Sequence, residues 1–298
     1  MVGTGITKRV NTISNNSDIS LLDKMTTARI ELTGVCTLDC KFCYNHTLKK
    51  TRTRQKFLNK EDFLLVVKTL DKIGTIKEVG CFYMGESGLH PNLDEYYKIL
   101  KSRGYFTYLT TNGTSIKNIL DAISYIDSLK VSWNYRNQKD FVEKTRSDPG
   151  FYEVIQHNIK KLYFISHKHG KKLSLSTVVD YGEKPEEYRS ILSTLPYDEH
   201  YYMPVQTQCG VYKSGKGGVV GEFYHQASKI PCWSLFRGFY VDVDLNVRTC
   251  SYGHTDAHIL GNIKTGFDLE KLSLKKQHLA GIVPEMCIEC IGNIKDLS

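Results

Sequence analysis

Strand-like and helix-like runs alternate from residue 27 to residue 206, and this restricts the fold more than any other feature of the chain. Strands are expected at 28–34, 78–85, 105–111, 128–134, 172–180 and 199–207, where β-branched, aromatic and apolar residues crowd into short runs. Helices are expected at 60–74, 93–104, 115–124, 151–170 and 185–194. Apolar residues recur there every three or four positions, and glycine closes the segments ending at 104 and 170. Strand–helix repeats need crossover connections, so the strands should run parallel in one sheet, open or closed into a barrel. The expected fold class is α/β, a partial (β/α)6 barrel. In such sheets binding residues collect at the carboxyl ends of the strands.

Two short segments fall at such ends. "CTLDCKFC" (36–43) follows the first strand and sets Cys36, Cys40 and Cys43 in a C-x3-C-x2-C pattern. "YMGESGLHP" (83–91) follows the second. Three thiolates on one loop can hold three corners of an iron–sulfur cluster and leave the fourth iron open to a small molecule. A structural zinc site would want a fourth ligand, for which His46 is the candidate.

Composition sets the limits. The chain has 298 residues, 41% hydrophobic and 24% charged, enough for a large domain with a substantial core. No apolar run approaches the ~18–20 residues of a membrane span, and the first residues carry no apolar signal segment. A cytoplasmic protein with no membrane partner is expected. Nine cysteines are an odd number for a disulfide scaffold and point to metal binding or catalysis in a reducing compartment. The net charge of +8 fits an anionic partner such as a nucleotide, a phosphorylated substrate or RNA. The basic residues are scattered, however, and "LKKTRTRQK" (48–56) reads as a solvated loop, so nucleic-acid binding is not expected.

Together the segments resemble the radical S-adenosylmethionine (radical SAM) superfamily, over about residues 27–206. The family signature C-x3-C-x-aromatic-C matches Cys36, Cys40, Phe42 and Cys43. Its G-G-E-P-like turn matches at Gly85 and Glu86, with Met84 and Ser87 replacing the first glycine and the proline. "LTTNGT" (109–114) and "KVSWN" (130–134) resemble its third and fourth strand segments, and Arg146 stands where members often hold the SAM carboxylate. The resemblance implies a TIM-like partial barrel, a 4Fe–4S cluster on the three cysteines and SAM on the open iron. It further implies SAM contacts from Gly85, Glu86, Asn112, Ser132, Asn134 and Arg146, and an electron donor such as flavodoxin or ferredoxin.

Beyond residue 207 the character changes. A glycine-rich loop opens at Cys209, an alternating run over 237–252 reads as a hairpin, and a helix is expected near "FDLEKLSLKKQHLAG". Cys232, Cys250, Cys287 and Cys290 could close a zinc site or a second 4Fe–4S cluster. The stretch 231–294 resembles the SPASM/twitch auxiliary-cluster region of radical SAM enzymes, among which aminocyclitol dehydrogenase and epimerase members come nearest in layout. That resemblance implies one auxiliary 4Fe–4S cluster. The expected organisation is a polar lead-in (1–26), a core (27–207) and this small β-hairpin plus helix extension (208–298).

The remaining cysteines divide. Cys81 lies within a strand and is expected in the core. Cys209 follows the last barrel strand, where a thiol could return a hydrogen atom to a substrate radical, as in radical SAM epimerases. Lys213 and Lys216 on the same loop could bind substrate. The expected activity is hydrogen abstraction from a sugar, aminocyclitol or peptide, ending in epimerisation. Dehydrogenation, RNA or peptide modification, and a non-catalytic zinc module are the alternatives. With only about 26 residues before the first strand, no leader-peptide-binding domain is expected, which tilts the reading towards a small polar substrate.

Overall fold

The computed structural model describes residues 25–45, 55–180, 182–205, 232–253 and 255–280, with positions 282, 284 and 287. His46, Cys209, Lys213, Lys216 and Cys290 lie outside the described residues, as do most of the polar lead-in and the expected boundary at 207.

Six parallel strands follow the expected order: β1 (Thr27–Ile30), β2 (Glu78–Gly80), β3 (Phe106–Thr111), β4 (Ser128–Ser132), β5 (Leu173–Val179) and β6 (Glu199–Pro204). Between them come α1 (Lys60–Ile73), α2 (Leu93–Ser102), α3 (Lys117–Ala122), α4 (Gln138–Thr145), α5 (Gly150–Lys168) and α6 (Arg189–Leu192). The sheet does not close, so the fold is an α/β partial barrel.

Burial alternates along β1, β3 and β4. Ala28, Ile30, Leu109, Leu129 and Val131 are buried in one core with Phe63, Val66, Val67 and Leu70 of α1 and Ile155, Ile159 and Leu162 of α5. Full burial of each such side chain contributes roughly 1.5–3 kcal/mol. The period of two sends the intervening residues to the opposite, concave face. Arg29, Tyr108, Thr110, Lys130 and Ser132 occupy that parity and are only partly buried. A layer of helices thus covers one side of the sheet, and a polar, aromatic face is left on the other.

The expected hairpin forms from β7 (Gly238–Val241) and β8 (Asn246–Arg248). It is not a detached unit: β7 pairs in parallel with β1 and extends the main sheet. This covers the edge of β1, whose backbone groups would otherwise stay unpaired. A further antiparallel pair, β9 (Ile259–Asn262) and β10 (Gly266–Phe267), completes a ten-stranded order β10-β9-β8-β7-β1-β2-β3-β4-β5-β6 among the described residues. The short helix α7 (Trp233–Arg237) precedes β7, and α8 (Leu274–Leu279) follows β10.

Three expectations need correction. The second strand stops at Gly80, not 85, because Cys81–Gly85 leaves the sheet to form the turn that meets the cysteine loop. The C-terminal helix covers only Leu274–Leu279. Helix α4 was not expected, although Asn137 caps it by accepting the Asp140 N–H at 3.0 Å.

Candidate active site

The cysteine loop is pinned at its start and at its middle. At its start, Gly85 presses against the backbone so closely that a Cβ there would stand 2.0 Å from the Thr33 carbonyl oxygen and 2.8 Å from that of Val35. Only glycine permits this approach. The next amide, Glu86 N–H, donates to the Val35 carbonyl at 2.8 Å. Further along, Asp39 N–H and Lys41 N–H donate to the carbonyls of Thr145 and Lys144 at 3.1 and 2.8 Å, so the end of α4 holds the middle of the loop.

That end of α4 is itself fixed by a buried ion network. Lys144 Nζ lies 2.8 Å from Glu183 and 3.4 Å from Asp140, and donates to the Tyr188 hydroxyl at 2.7 Å and the Asn134 carbonyl at 3.1 Å. Arg136 adds contacts to Asp140, Glu183 and Glu187 at 2.8, 3.3 and 2.6 Å. Burial pushes the Asp140 carboxyl up, but Arg136, its backbone N–H and Lys144 outweigh it and hold the carboxyl below its ordinary range.

Cys36 and Cys40 pack against the core, and the described cysteines carry no disulfide. Asn112 Nδ2 reaches Cys36 Sγ at 3.5 Å and Thr37 Oγ1 at 3.4 Å. The buried Tyr135 hydroxyl stands beside Cys40 and Cys36; burial first, then the two thiols, push it well above the usual tyrosine range. Among the described residues no three Cys, His, Asp or Glu side chains converge on one metal-binding point. The fit of a cluster therefore rests on donor chemistry and shape. Three soft sulfur donors occupy one loop at the carboxyl end of β1, held by backbone and lined by amide and phenol donors, which is a set suited to an iron–sulfur cluster.

The expected SAM-contact residues take distinct places. Glu86 is buried, and its carboxylate accepts from Gly88 N–H at 2.9 Å, Thr111 Oγ1 at 2.7 Å and Asn112 N–H at 2.7 Å. Burial raises its pKa, and these three donors pull it part of the way back. Glu86 thus ties the turn after β2 to the end of β3. Asn112 Oδ1 accepts from Thr114 N–H and Oγ1 at 2.9 and 2.7 Å, which aims its amide nitrogen at the cysteine loop. Ser132 lies on the concave face at the end of β4. Asn134 is buried, with its Oδ1 accepting the Val178 N–H at 2.7 Å, so half of its amide is committed to the sheet. Arg146 caps α4 in the left-handed region at φ 52°, with Nε 3.8 Å from the Asp39 carboxylate on the cysteine loop. Gly85, Glu86, Asn112 and Arg146 therefore meet around residues 33–39, while Ser132 and Asn134 stand on β4 and just after it. Cys81 is fully buried in the core.

Sequence reasoning missed Tyr135, Tyr83 and the concave-face pair Arg29 and Lys130. The strand parity carried a signal for the last two, since a cation between apolar neighbours (A-R-I, L-K-V) must face away from them. Arg29 lies over the Phe82 ring at 5.2 Å and the Tyr240 ring at 5.8 Å.

The second cysteine set draws on three separate segments. Cys232 caps α7, Cys250 follows β8, and Cys287 lies in the tail. Burial pushes the Cys287 thiol up to about 12, with Cys250 and Cys232 adding to the effect; Cys232 is raised too, by burial and then by Cys250. The three thiols are thus close enough to feel one another. In the hairpin that leads to Cys250, the fully buried Asp242 carboxylate pairs with Arg248 at 2.6 Å and accepts the N–H groups of Asp244 and Asn246, which shapes the β7–β8 turn. Tyr83, from the turn that bears Gly85, donates its hydroxyl to the Cys250 carbonyl at 3.0 Å and stacks on Tyr240 at 6.2 Å. Tyr83 thus links the turn that meets the first cysteine loop to the segment that bears Cys250. No described helix is long and apolar enough to cross a membrane.

Known proteins bear on this arrangement. A glycyl-radical enzyme activating enzyme, so named, of Methanocaldococcus jannaschii is 34% identical over 116 residues, covering 39% of this chain and 41% of its own length. An S-adenosylmethionine-dependent nucleotide dehydratase of a Thermoplasmatales archaeon is 24% identical over 170 residues, covering 55% of this chain and 56% of its own. The chain thus spans only about two fifths to a little over half of these curated relatives. Among solved structures, Streptococcus suis SuiB bound to its precursor peptide SuiA matches with a TM-score of 0.61 at 14% identity, over 90% of this chain and 68% of that one. BtrN in complex with AdoMet and 2-DOIA matches with a TM-score of 0.54 at 13% identity, over 86% and 88%. Both likenesses speak to the fold. The family model for the radical SAM superfamily matches residues 30–195, more than half of the chain, which carries the first cysteine loop and the Gly85–Glu86 turn: the chain belongs to the radical SAM superfamily, whose members use SAM and a 4Fe–4S cluster.

Proposed function

We propose that Cys36, Cys40 and Cys43 hold the 4Fe–4S cluster, that SAM takes its open position, and that the enzyme abstracts a hydrogen atom from a polar substrate on the concave face. The observation that carries this reading is the meeting of Cys36 and Cys40 with Asn112 and Tyr135 at the carboxyl ends of β1, β3 and β4. When bound, the cluster supplies the electron that splits SAM and so gives the hydrogen-abstracting 5′-deoxyadenosyl radical. The chain's own residues position the reactants. The Gly85 turn offers backbone acceptors to the SAM ammonium, and Glu86 fixes that turn through its three donors. Arg146 offers a fork to the SAM carboxylate, and Ser132 and the Asn134 amide offer polar groups to the ribose.

Cys232, Cys250, Cys287 and Cys290 hold an auxiliary 4Fe–4S cluster in the SPASM/twitch manner. The outcome is epimerisation. The substrate loses a hydrogen atom on one face, and the Cys209 S–H returns one on the other. The sulfur radical left on Cys209 then needs one electron and one proton, the electron coming from a donor such as flavodoxin or ferredoxin. Lys213 and Lys216 hold the substrate, a sugar, an aminocyclitol or a peptide residue, from the same loop. Supporting this reading are the position of Cys209 in the sequence, five residues after the end of β6, and the lysines that follow it.

Dehydrogenation is the second reading, and one contact favours it. There the substrate radical loses a proton and one further electron. Tyr83, bonded to the Cys250 carbonyl, sets the second cysteine site against the chamber that this electron must leave.

The test uses the reconstituted full chain with SAM and dithionite in D2O. Wild type should release 5′-deoxyadenosine and, with substrate, form inverted product carrying solvent deuterium. Cys209→Ala should still release 5′-deoxyadenosine but form no inverted product. Unimpaired turnover by this variant removes the epimerase reading, and a protein that holds zinc without iron and leaves SAM intact removes the enzyme reading altogether.

A further inference from the structure

Among the described residues, two cations share the concave face without an acid to answer them. Arg29 of β1 stands level with Gly80 of β2 and Tyr108 of β3, and Lys130 of β4 stands level with Thr110 and Ser174, two residues before Ser132. Among the described residues, no Asp or Glu forms an ion pair with either. Glu78 opens β2 two residues before Gly80, and its charge reaches Tyr108 without pairing with either cation.

The surroundings of Arg29 are aromatic. Phe82 and Tyr240 lie against its guanidinium, and Tyr108 shares a hydrogen bond with it. A Cβ at position 80 would stand 2.7 Å from the rings of both Phe82 and Tyr108, so glycine there lets these rings line the chamber beside Arg29. Such rings attract a cation but carry no counter-charge. Burial, and then the charge of Arg29, lower the pKa of Lys130, so the two cations repel across the face. An anion between them would remove that repulsion and meet a fork and a point charge together, which suits a phosphoryl group better than a neutral hydroxyl.

Accordingly, we propose that Arg29 and Lys130 form the binding site for an oxyanionic group of the substrate, a phosphoryl above all, between the two cysteine sites. This rests on the reading of the concave face as the substrate chamber. Tyr240 ties the two together, since it touches Arg29, stacks on Tyr83 and lies within electrostatic reach of Cys250. Guanidinium and ammonium would then orient the substrate against the radical source, and the chain's net charge of +8 would speed its encounter with an anion.

Pyrophosphate and glutarate, as phosphoryl and carboxylate probes, are titrated calorimetrically into the reconstituted full chain, with SAM affinity measured in the same preparations. Wild type should bind pyrophosphate. Arg29→Met and Lys130→Met should each weaken it on the order of tenfold or more, as loss of a charge-assisted contact predicts. Their loss of SAM affinity should be much smaller, and the exposed-site control Lys68→Met should change nothing. Glutarate bound in place of pyrophosphate, with the same sensitivity, identifies the oxyanion as a carboxylate. Arg29→Lys keeps the charge without the fork and should recover part of the affinity; with Lys130→Gln it carries the test if Arg29→Met does not fold. No anion binding by wild type, equal binding by all variants, or a loss confined to SAM overturns the proposal. Loss of SAM cleavage by wild type would instead sink the proposed function and leave the anion result standing.

Discussion

The two cysteine sites solve one problem in opposite ways. The first gathers Cys36, Cys40 and Cys43 on a single loop, so the chain's own connectivity brings the thiols together. The second recruits Cys232, Cys250 and Cys287 from a helix start, a strand end and a tail, so only the folded sheet can assemble it. A buried ion pair stiffens the element behind each, Lys144 with Asp140 and Glu183 at the end of α4 in one case and Asp242 with Arg248 across the β7–β8 hairpin that leads to Cys250 in the other. A local motif needs its loop held still, whereas a dispersed one needs its elements brought to register.

This contrast can be broken most severely by removing one thiol from each site. Cys40→Ala should remove the iron of the first site and reduce 5′-deoxyadenosine formation to background. If the second set holds the proposed auxiliary cluster, Cys250→Ala should lose its iron yet still cleave SAM. Iron analysis with product chromatography decides between them, and equal loss of SAM cleavage in both variants would show that the sites do not act separately.

Next in size are the ion pairs. Arg248→Met strands the fully buried Asp242, whereas Lys144→Met leaves the buried Asp140 and the partly buried Glu183 with Arg136 as their remaining cation. Stranding a buried charge costs about 3–5 kcal/mol, read as a shift of the denaturant midpoint, and Lys144→Met should cost less. Lys144→Met should in addition loosen the backbone grip on Asp39 and Lys41 and lower iron occupancy at the first site. Iron loss confined to the first site sharpens the comparison, and iron loss at the second site in the same variant contradicts it.

Gly85→Ala should come third. Its Cβ would collide with the Thr33 and Val35 carbonyls, and overpacking of this kind costs about 1–3 kcal/mol. Because the displaced atoms begin the cysteine loop, SAM affinity should fall with stability. Arg146→Met should have the smallest effect on folding, below about 0.5 kcal/mol, since its pairing with Asp39 is long and solvent-exposed. A larger rise in the KM for SAM than in the midpoint shift would support its carboxylate role, and parallel small changes would remove it.

Much of this was legible because it is local. The order of six strands and the first cysteine loop are read from pattern and spacing, the Gly85–Glu86 turn from its resemblance to the family motif, and the structure places the turn against the loop. The role of Glu86 was not legible: its three donors come from Gly88, Thr111 and Asn112, and the last two lie 25 and 26 residues away. Asn134 looks like a ligand-facing residue in sequence, yet Val178 takes its oxygen from the neighbouring strand. Tyr135 gives no motif signal, and becomes part of the site only because the chain beyond β4 passes beside the cysteine loop.

By itself, the sequence determined the parallel α/β fold and the placing of three thiols on one loop, because both follow from short-range periodicity and the reach of a single loop, while the iron–sulfur chemistry of that loop came from the family resemblance. Only the tertiary structure decided that β7 pairs with β1 and that Tyr83, beside the first cysteine loop, bonds to the Cys250 carbonyl. It also brought the strands of Arg29 and Lys130 into one sheet with both residues on the same face. Those facts depend on hydrogen-bond register between strands far apart in the chain, which no local pattern encodes.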